Sequence, residues 1–256
     1  MRKISSFFDL HAGEVHFYYT CLDEIHDPFL LDEYGTMLTP QEACALSKIT
    51  SEKKRHESLV TRALARFVLA GCCRVAPKAV QFSSSPHGKP ELLAGVSSLP
   101  VQFNLSHCRG LVGCAVTLGA DIGLDMEDTH RKVNMDLAGR FFSPLDIRQL
   151  EQAGDTGAKQ ELFVDLWTLK EAYVKAVGKG LSLGLDQFSF FFDQGIPKIR
   201  FASTGAADPG TWHFFAFSLL DHYKVAVGVS SMAKQRPVVH IHECIPFEGI
   251  QYHGRC

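Results

Sequence analysis

The segment Ala120-Asp121-Ile122-Gly123-Leu124-Asp125-Met126-Glu127 alternates apolar and polar residues. On a strand, every second side chain shares a face. Asp125 and Glu127 therefore project side by side, opposite to Ala120, Ile122, Leu124 and Met126. Close carboxylates repel each other unless a cation or proton lies between them. Hard oxygen donors of this kind suit Mg²⁺, which binds one or two carboxylates together with substrate phosphates. A strand with one solvated acidic face has the same pattern. Gly123 shares the acidic face and permits close approach of a ligand or a backbone.

A second group lies in Leu166-Trp167-Thr168-Leu169-Lys170-Glu171-Ala172-Tyr173-Val174-Lys175. Trp167, Glu171 and Lys175 are four apart and share one side of a helix. Glu171 offers a third metal carboxylate or a base, and Lys170 and Lys175 offer charge for phosphates. The bland alternative is an exposed Glu-Lys pair. A tryptophan on that side means that something covers it.

Other anion-holding candidates are His107, at the end of Asn104-Leu105-Ser106-His107-Cys108, and Lys89, in the turn Gly88-Lys89-Pro90. Ser106 and His107 point to opposite faces of a strand, so they do not form a hydrolase nucleophile-base pair. His107 reads as a phosphate ligand or acid-base group. No G-x-x-x-x-G-K-[ST] loop is present. The tail holds His240, His242, Cys244, His253 and Cys256, all zinc-competent types. Their spacing matches no common ligand pattern.

Several elements must position these groups. Thr39, Pro40 and Glu42 read as N-cap, first helical residue and capping-box partner. Leu59, Leu64, Phe67 and Val68 predict a helix over about Lys53 to Cys73, with Arg62 and Arg66 on another face. Strands are expected over Val101 to Leu105, Leu111 to Leu118, Ala120 to Glu127, Phe188 to Phe192, Trp212 to Leu219 and Tyr223 to Val229. Ser143 and Pro144 open a helix to Gln152. A longer helix runs from about Gln160 to Val177 on a Leu162, Leu166, Leu169 and Tyr173 stripe. Helices and strands mix without regular βαβ alternation, so the fold class is α+β. The expected division is 1–118 and 119–256, the latter including an unassigned tail from about 234.

The 256 residues carry a net charge of −2, which argues against nucleic-acid binding through a general basic field. No run of 18 apolar residues predicts a membrane span. Arg2 and Lys3 precede no long apolar stretch, so no signal peptide is indicated. The eight cysteines are then expected as thiols in the cytoplasm.

The ordered series Gly88-Lys89-Pro90, Phe103-Asn104-Leu105-Ser106-His107, Gly123-Leu124-Asp125-Met126-Glu127, Phe141-Phe142-Ser143, Trp167-Thr168-Leu169-Lys170-Glu171-Ala172, Lys175 and Gly178-Lys179-Gly180-Leu181 resembles the Sfp-type 4′-phosphopantetheinyl transferases. It covers roughly residues 40 to 230. The resemblance implies two similar α+β halves related by a pseudo-two-fold axis in a monomer, with coenzyme A bound in the cleft between them. It implies Mg²⁺ on Asp125, Glu127 and Glu171. Lys175, His107, Lys89, Ser106, Lys170 and Arg62 are then the coenzyme A contacts, and Glu171, Lys175 and His107 the catalytic groups. The implied reaction moves phosphopantetheine from coenzyme A to a serine of an apo acyl or peptidyl carrier protein and releases 3′,5′-ADP. Glu171 is the expected base, with Glu127 next. The region Phe141 to Asp155, with Arg140 and Arg148, is the expected carrier-docking surface. A metal-dependent phosphohydrolase and a coenzyme A or nucleotide-binding module are the rival readings. Cys108, where many members carry Ser or Thr, departs from the pattern without removing a charge.

Overall fold

The computed structural model describes residues 8–131, 134–202, 212–231 and 235–256. Arg2 and Lys3 lie outside them. The described chain is α+β and divides into two compact units. Residues 1–84, 90–119 and 238–256 belong to the first unit, and 85–89 and 120–237 to the second.

The first unit contains strands β1 (Glu14–Cys21), β2 (Phe82–Ser84), β3 (Pro90–Leu92), β4 (Val101–Cys108) and β5 (Leu111–Leu118). Its helices are α1 (Pro28–Met37), α2 (Pro40–Ser47) and α3 (Glu52–Cys73). Chain order then passes through the second unit, with β6 (Ile122–Asp128), α4 (Asp136–Phe141), α5 (Pro144–Gln152), α6 (Thr156–Val177), β7 (Phe188–Asp193), β8 (Ile196–Phe201), β9 (Trp212–Leu219) and β10 (Tyr223–Ser230). The tail supplies β11 (Val238–Ile245) and β12 (Gly249–Arg255). These two strands return to the first unit, whereas the sequence division placed them with residues 119–256. No local pattern forecasts that return, because the pairing joins residues more than 200 apart.

The main sheet of the first unit runs β12-β11-β1-β5-β4. β1 pairs parallel with β11, and the other neighbours are antiparallel. Val60, Leu64, Phe67 and Val68 of α3 join one apolar cluster with Val112, Cys114 and Val116 of β5. Ser51 caps the start of α3 by accepting from the Lys54 amide, and Arg74 ends it in the left-handed region.

Thr39 and Glu42 form the expected capping box at the start of α2. Glu42 has a second partner. Its Oε2 lies 2.7 Å from Nη2 of Arg66 on α3. Arg66 is buried and also donates to the carbonyls of Pro77 and Val80. Arg66, read from the sequence as lying on a face other than the apolar one, is thus itself enclosed. Arg66 is accommodated in the core because one carboxylate and two carbonyls pair its two terminal nitrogens, although Nε has no hydrogen-bond partner among the described residues.

In the second unit β6-β10-β9 form one antiparallel sheet, and β7 and β8 form a hairpin. Asp155 caps α6, and Gly178 ends it at φ 70°. The forecast stripe is buried at Leu166, Leu169 and Tyr173, but so are Phe163, Val164, Ala172 and Val174. α6 is therefore enclosed on most sides instead of lying as a surface helix.

Replacing Glu42 with Ala removes the carboxylate that accepts from the Thr39 amide in the α2 capping box and leaves the buried Arg66 charge without its partner. The expected loss of stability is on the order of 2–4 kcal/mol. Urea unfolding of E42A and E42Q checks this, and equal midpoints for E42A and wild type would contradict it.

Candidate active site

The site in the second unit depends on how closely α6 crosses β6. A Cβ built on Gly123 would collide with the carbonyl oxygen of Ala172 and the amide of Ala176. Gly228 of β10, directly across from Gly123, has Phe214 and Ala172 as its near neighbours. The glycine on the acidic face thus admits a backbone, namely α6. The crossing encloses that face of β6, and Asp125 is only 6% exposed. The reading of a solvated acidic strand face does not hold.

Lys175 meets Asp125, with Nζ 2.6 Å from Oδ1. Burial, then the charge of Asp125, pushes the Glu127 carboxyl up to about 7; Glu171 adds to this while Arg131 and Lys175 oppose it. Burial, then Asp125, also raises Glu171, with Lys175 opposing. Asp125, Glu127, Glu171 and Lys175 are therefore one electrostatic cluster. The triads of His, Cys, Asp or Glu among the described residues whose ligand atoms all lie within 4.8 Å of one another do not include Asp125, Glu127 and Glu171. In this arrangement the Lys175 ammonium supplies the positive charge at Asp125. The all-carboxylate donor set fits a hard divalent cation by its chemistry.

Phe163, Trp167, Glu171 and Lys175 are each four residues apart on α6. The forecast cover over Trp167 is aromatic. Phe163 stacks on it at 6.0 Å and 12°, and Phe141 meets it edge-on at 6.1 Å. Glu127, Arg131, Leu137, Phe163 and Trp167 line a cavity of about 160 Å³. Arg131 was absent from the sequence candidates because it stands in a turn after the motif.

Lys170 requires correction. Its side chain is wholly buried, with Nζ 2.8 Å from Asp146 Oδ2. It donates to the carbonyls of Leu185 and Phe188. Burial pulls its pKa below the ordinary value while Asp146 opposes the shift. Lys170 ties α6 to the start of α5 and to β7, and has no exposed charge for coenzyme A. Asp146 belongs to the α5 capping box with Ser143 and also accepts from the Phe190 amide. This role hid behind its ordinary place in a cap.

Lys89 belongs to the second unit. Its Nζ donates to Ile122 O at 3.0 Å and Ala176 O at 2.9 Å. It therefore clamps the start of β6 to the end of α6, where a phosphate contact was expected.

In the first unit, Ser106 is buried at 4% exposure and His107 is exposed at 59%. Ser106 is thus corrected as a ligand contact, since it does not face solvent. His107 Nε2 lies 3.4 Å from Glu57 Oε1 of α3. Arg62 folds back along α3 onto the carbonyl and hydroxyl oxygens of Ser58. Glu57 was missed because helix and strand meet only in the fold.

Two family models match the chain. The 4′-phosphopantetheinyl transferase superfamily covers residues 121–228, and the 4′-phosphopantetheinyl transferase N-terminal family covers residues 31–118. A Synechocystis sp. protein named for this transfer is 31% identical over 207 residues, 77% of this chain and 81% of its own length. The 4′-phosphopantetheinyl transferase HetI of Nostoc sp. is 32% identical, over 68% of this chain and 72% of its own. Sfp of Bacillus subtilis is 31% identical, over 62% and 68%. The matches span both units and define a transferase of phosphopantetheine.

The chain belongs to the 4′-phosphopantetheinyl transferase superfamily, and within it to the Sfp type. It is an enzyme that transfers 4′-phosphopantetheine from coenzyme A to carrier proteins.

Replacing Lys170 with Met leaves Asp146 buried without its cation. The expected cost is about 3 kcal/mol or more, read as a lower urea midpoint. An unchanged midpoint with a raised KM for coenzyme A would restore Lys170 as a ligand contact. Glu127 gives a pH test. Its folded pKa, about 7, exceeds the ordinary 4.5. The stability it contributes is present below 4.5 and is lost as pH rises through about 7. With EDTA present, E127Q should therefore gain stability relative to wild type between pH 5 and pH 8. A stability difference that does not vary with pH contradicts the shift.

Proposed function

We propose that Asp125, Glu127 and Glu171 hold Mg²⁺ and that Glu171 accepts the proton of the carrier serine. The observation that supports this reading is the electrostatic coupling of the three carboxylates at the β6–α6 crossing, with Lys175 beside Asp125. Bound there, Mg²⁺ would offset pyrophosphate charge and orient the phosphates. The side chains of Glu127 and Glu171 turn toward Asp125 in this reading.

The carrier serine Oγ attacks the phosphorus that bears pantetheine. Its proton passes to Glu171, and the bond from that phosphorus to the bridging oxygen breaks, the oxygen leaving with 3′,5′-ADP. The products are holo-carrier and 3′,5′-ADP. Lys175 supplies positive charge where negative charge develops on the leaving group. The burial that raises Glu171 also makes it a better base near neutral pH. Glu127, pushed up to about 7, is the alternative base if Glu171 serves only as a ligand.

His107 is assigned to coenzyme A phosphates on the strength of the motif series, and Arg62 on its position where the resembled family often has a basic residue. The 119–256 segment is assigned the metal carboxylates, and 1–118 the phosphate contacts. Phe141 to Asp155 is assigned to carrier docking. Arg140, stacked 5.2 Å from the Phe141 ring centroid, supplies a cation there for an acidic carrier. The working form is assigned as a cytoplasmic monomer that binds neither nucleic acid nor membrane. All eight cysteines are free thiols, which fits a reducing compartment. No helix of the described chain is long and apolar enough to cross a membrane.

Glu171→Gln is expected to lower transfer by about a hundredfold or more while Mg²⁺ binding falls less. Intact mass of an apo-carrier, followed with released 3′,5′-ADP, reads the result. Wild-type transfer by E171Q across pH would remove Glu171 as the base. ADP release without carrier would favour a phosphohydrolase.

A further inference from the structure

The tail histidines are not a zinc cluster in the form their spacing offered. Cys244 is buried in the apolar core of the first unit, and burial raises its thiol pKa well above the ordinary value. His253 pairs with Glu243 at 3.1 Å. The parallel pairing of β1 with β11 creates a different group. It sets His16 across from His240 and Tyr18 across from His242. Glu14 lies two residues before His16 and shares its face.

Glu14, His16 and His240 each offer a ligand atom, and these atoms all lie within 4.8 Å of one another. His16 Nε2 is 3.3 Å from Glu14 Oε2, and His240 Nε2 is 3.8 Å from Glu14 Oε1. Two ligand atoms on a tetrahedral Zn²⁺, each about 2.0–2.1 Å from the metal, stand about 3.3 Å apart. The other nitrogen of the His16 ring, Nδ1, lies 3.1 Å from His242 Nε2. His16 and His240 stack at 4.8 Å, and His16 and His242 at 5.3 Å. The side chains of Glu14, His16 and His240 are 30%, 14% and 22% exposed, so an ion has a route in.

We propose that Glu14, His16 and His240 bind a divalent transition metal of the Zn²⁺ class, joining β1 to β11 and leaving a fourth position open. His242 acts as a positioning residue. When His16 Nε2 takes the metal, the His16 proton resides on Nδ1 and is donated to His242 Nε2. A hydrogen bond of this kind fixes ring orientation and strengthens the ligand. His242 then carries its own proton on Nδ1, so no net proton is gained or lost by the two rings. Burial, first among the causes, lowers the pKa of both His16 and His242, the latter to about 4. Neutral imidazole is the form that coordinates metals. Two imidazoles and a carboxylate select Zn²⁺-like ions over Mg²⁺, which takes oxygen ligands. Another close triad, Cys21, Glu24 and Glu243, contains a thiol pushed up to about 12 mainly by burial, so it lacks a ready thiolate.

Equilibrium dialysis of the EDTA-stripped full chain against Zn²⁺, with excess Mg²⁺ present, tests the site. The expected result is tight uptake of one ion per chain that is lost in His16→Gln/His240→Gln. His242→Phe should weaken binding by about 10- to 100-fold. Absence of tight uptake by wild type, or uptake unchanged in the folded double variant, overturns the proposal. Cobalt(II) spectra of His130→Gln/His222→Gln, which removes the two histidines of the other triad with Asp128, decide the matter even if the His16→Gln/His240→Gln variant does not fold. Bands of a tetrahedral site with nitrogen and oxygen ligands support it, and a thiolate charge-transfer band at the tight site overturns it.

Discussion

The second unit rests on one close approach, that of α6 to β6 at Gly123. A strand and a helix normally meet through layers of side chains. Here the Ala172 carbonyl and Ala176 amide occupy space that any Cβ on Gly123 would need. Gly228 across the ladder and the small Ala172 complete the crossing. Asp125 and Glu127 follow Gly123 at two-residue steps, while Glu171 and Lys175 immediately precede the contact residues Ala172 and Ala176 on the helix. The missing side chains therefore bring acids and lysine together. Lys89 reinforces the crossing by donating to a carbonyl from each element.

That approach removes water from the carboxylates. Burial is the leading cause of the raised pKa of both Glu127 and Glu171. A buried acidic cluster costs folding energy unless a cation or proton relieves it. Lys175 provides part of that relief at Asp125. Buried charge elsewhere in the second unit is more fully paired. Lys170 and Asp146 are an example, with each buried charge surrounded by further hydrogen-bond partners.

Much of this was legible in the residues. The Thr39-Pro40-Glu42 and Ser143-Pro144 starts both appear as capping boxes. Strands Leu111–Leu118 and Trp212–Leu219 have the bounds that their apolar runs predicted. Those signals are local, so tertiary structure had little to override. The lysines were harder. Lys170 and Lys175 are five apart on one helix, yet one is buried against Asp146 and the other reaches Asp125. Their one-letter identity carries charge but not burial, and the difference depends on α5 and β7 packing beside α6. Glu57 next to His107, and His16 next to His240, join distant segments for the same reason. No periodicity within either segment encodes its partner.

The parallel seam between β1 and β11 has a consequence for how the polypeptide matures. His16 and His242 stand 226 positions apart yet lie on neighbouring strands. During vectorial synthesis, β1 emerges long before the strand that completes its flank, and contacts of such separation close late. The intervening stretch 120–237 contains nearly all of the second unit without interruption, so it can assemble while β1 still presents an open edge. β1 thus lacks one neighbour until β11 is made, which makes β11 a molecular latch on a strand formed much earlier.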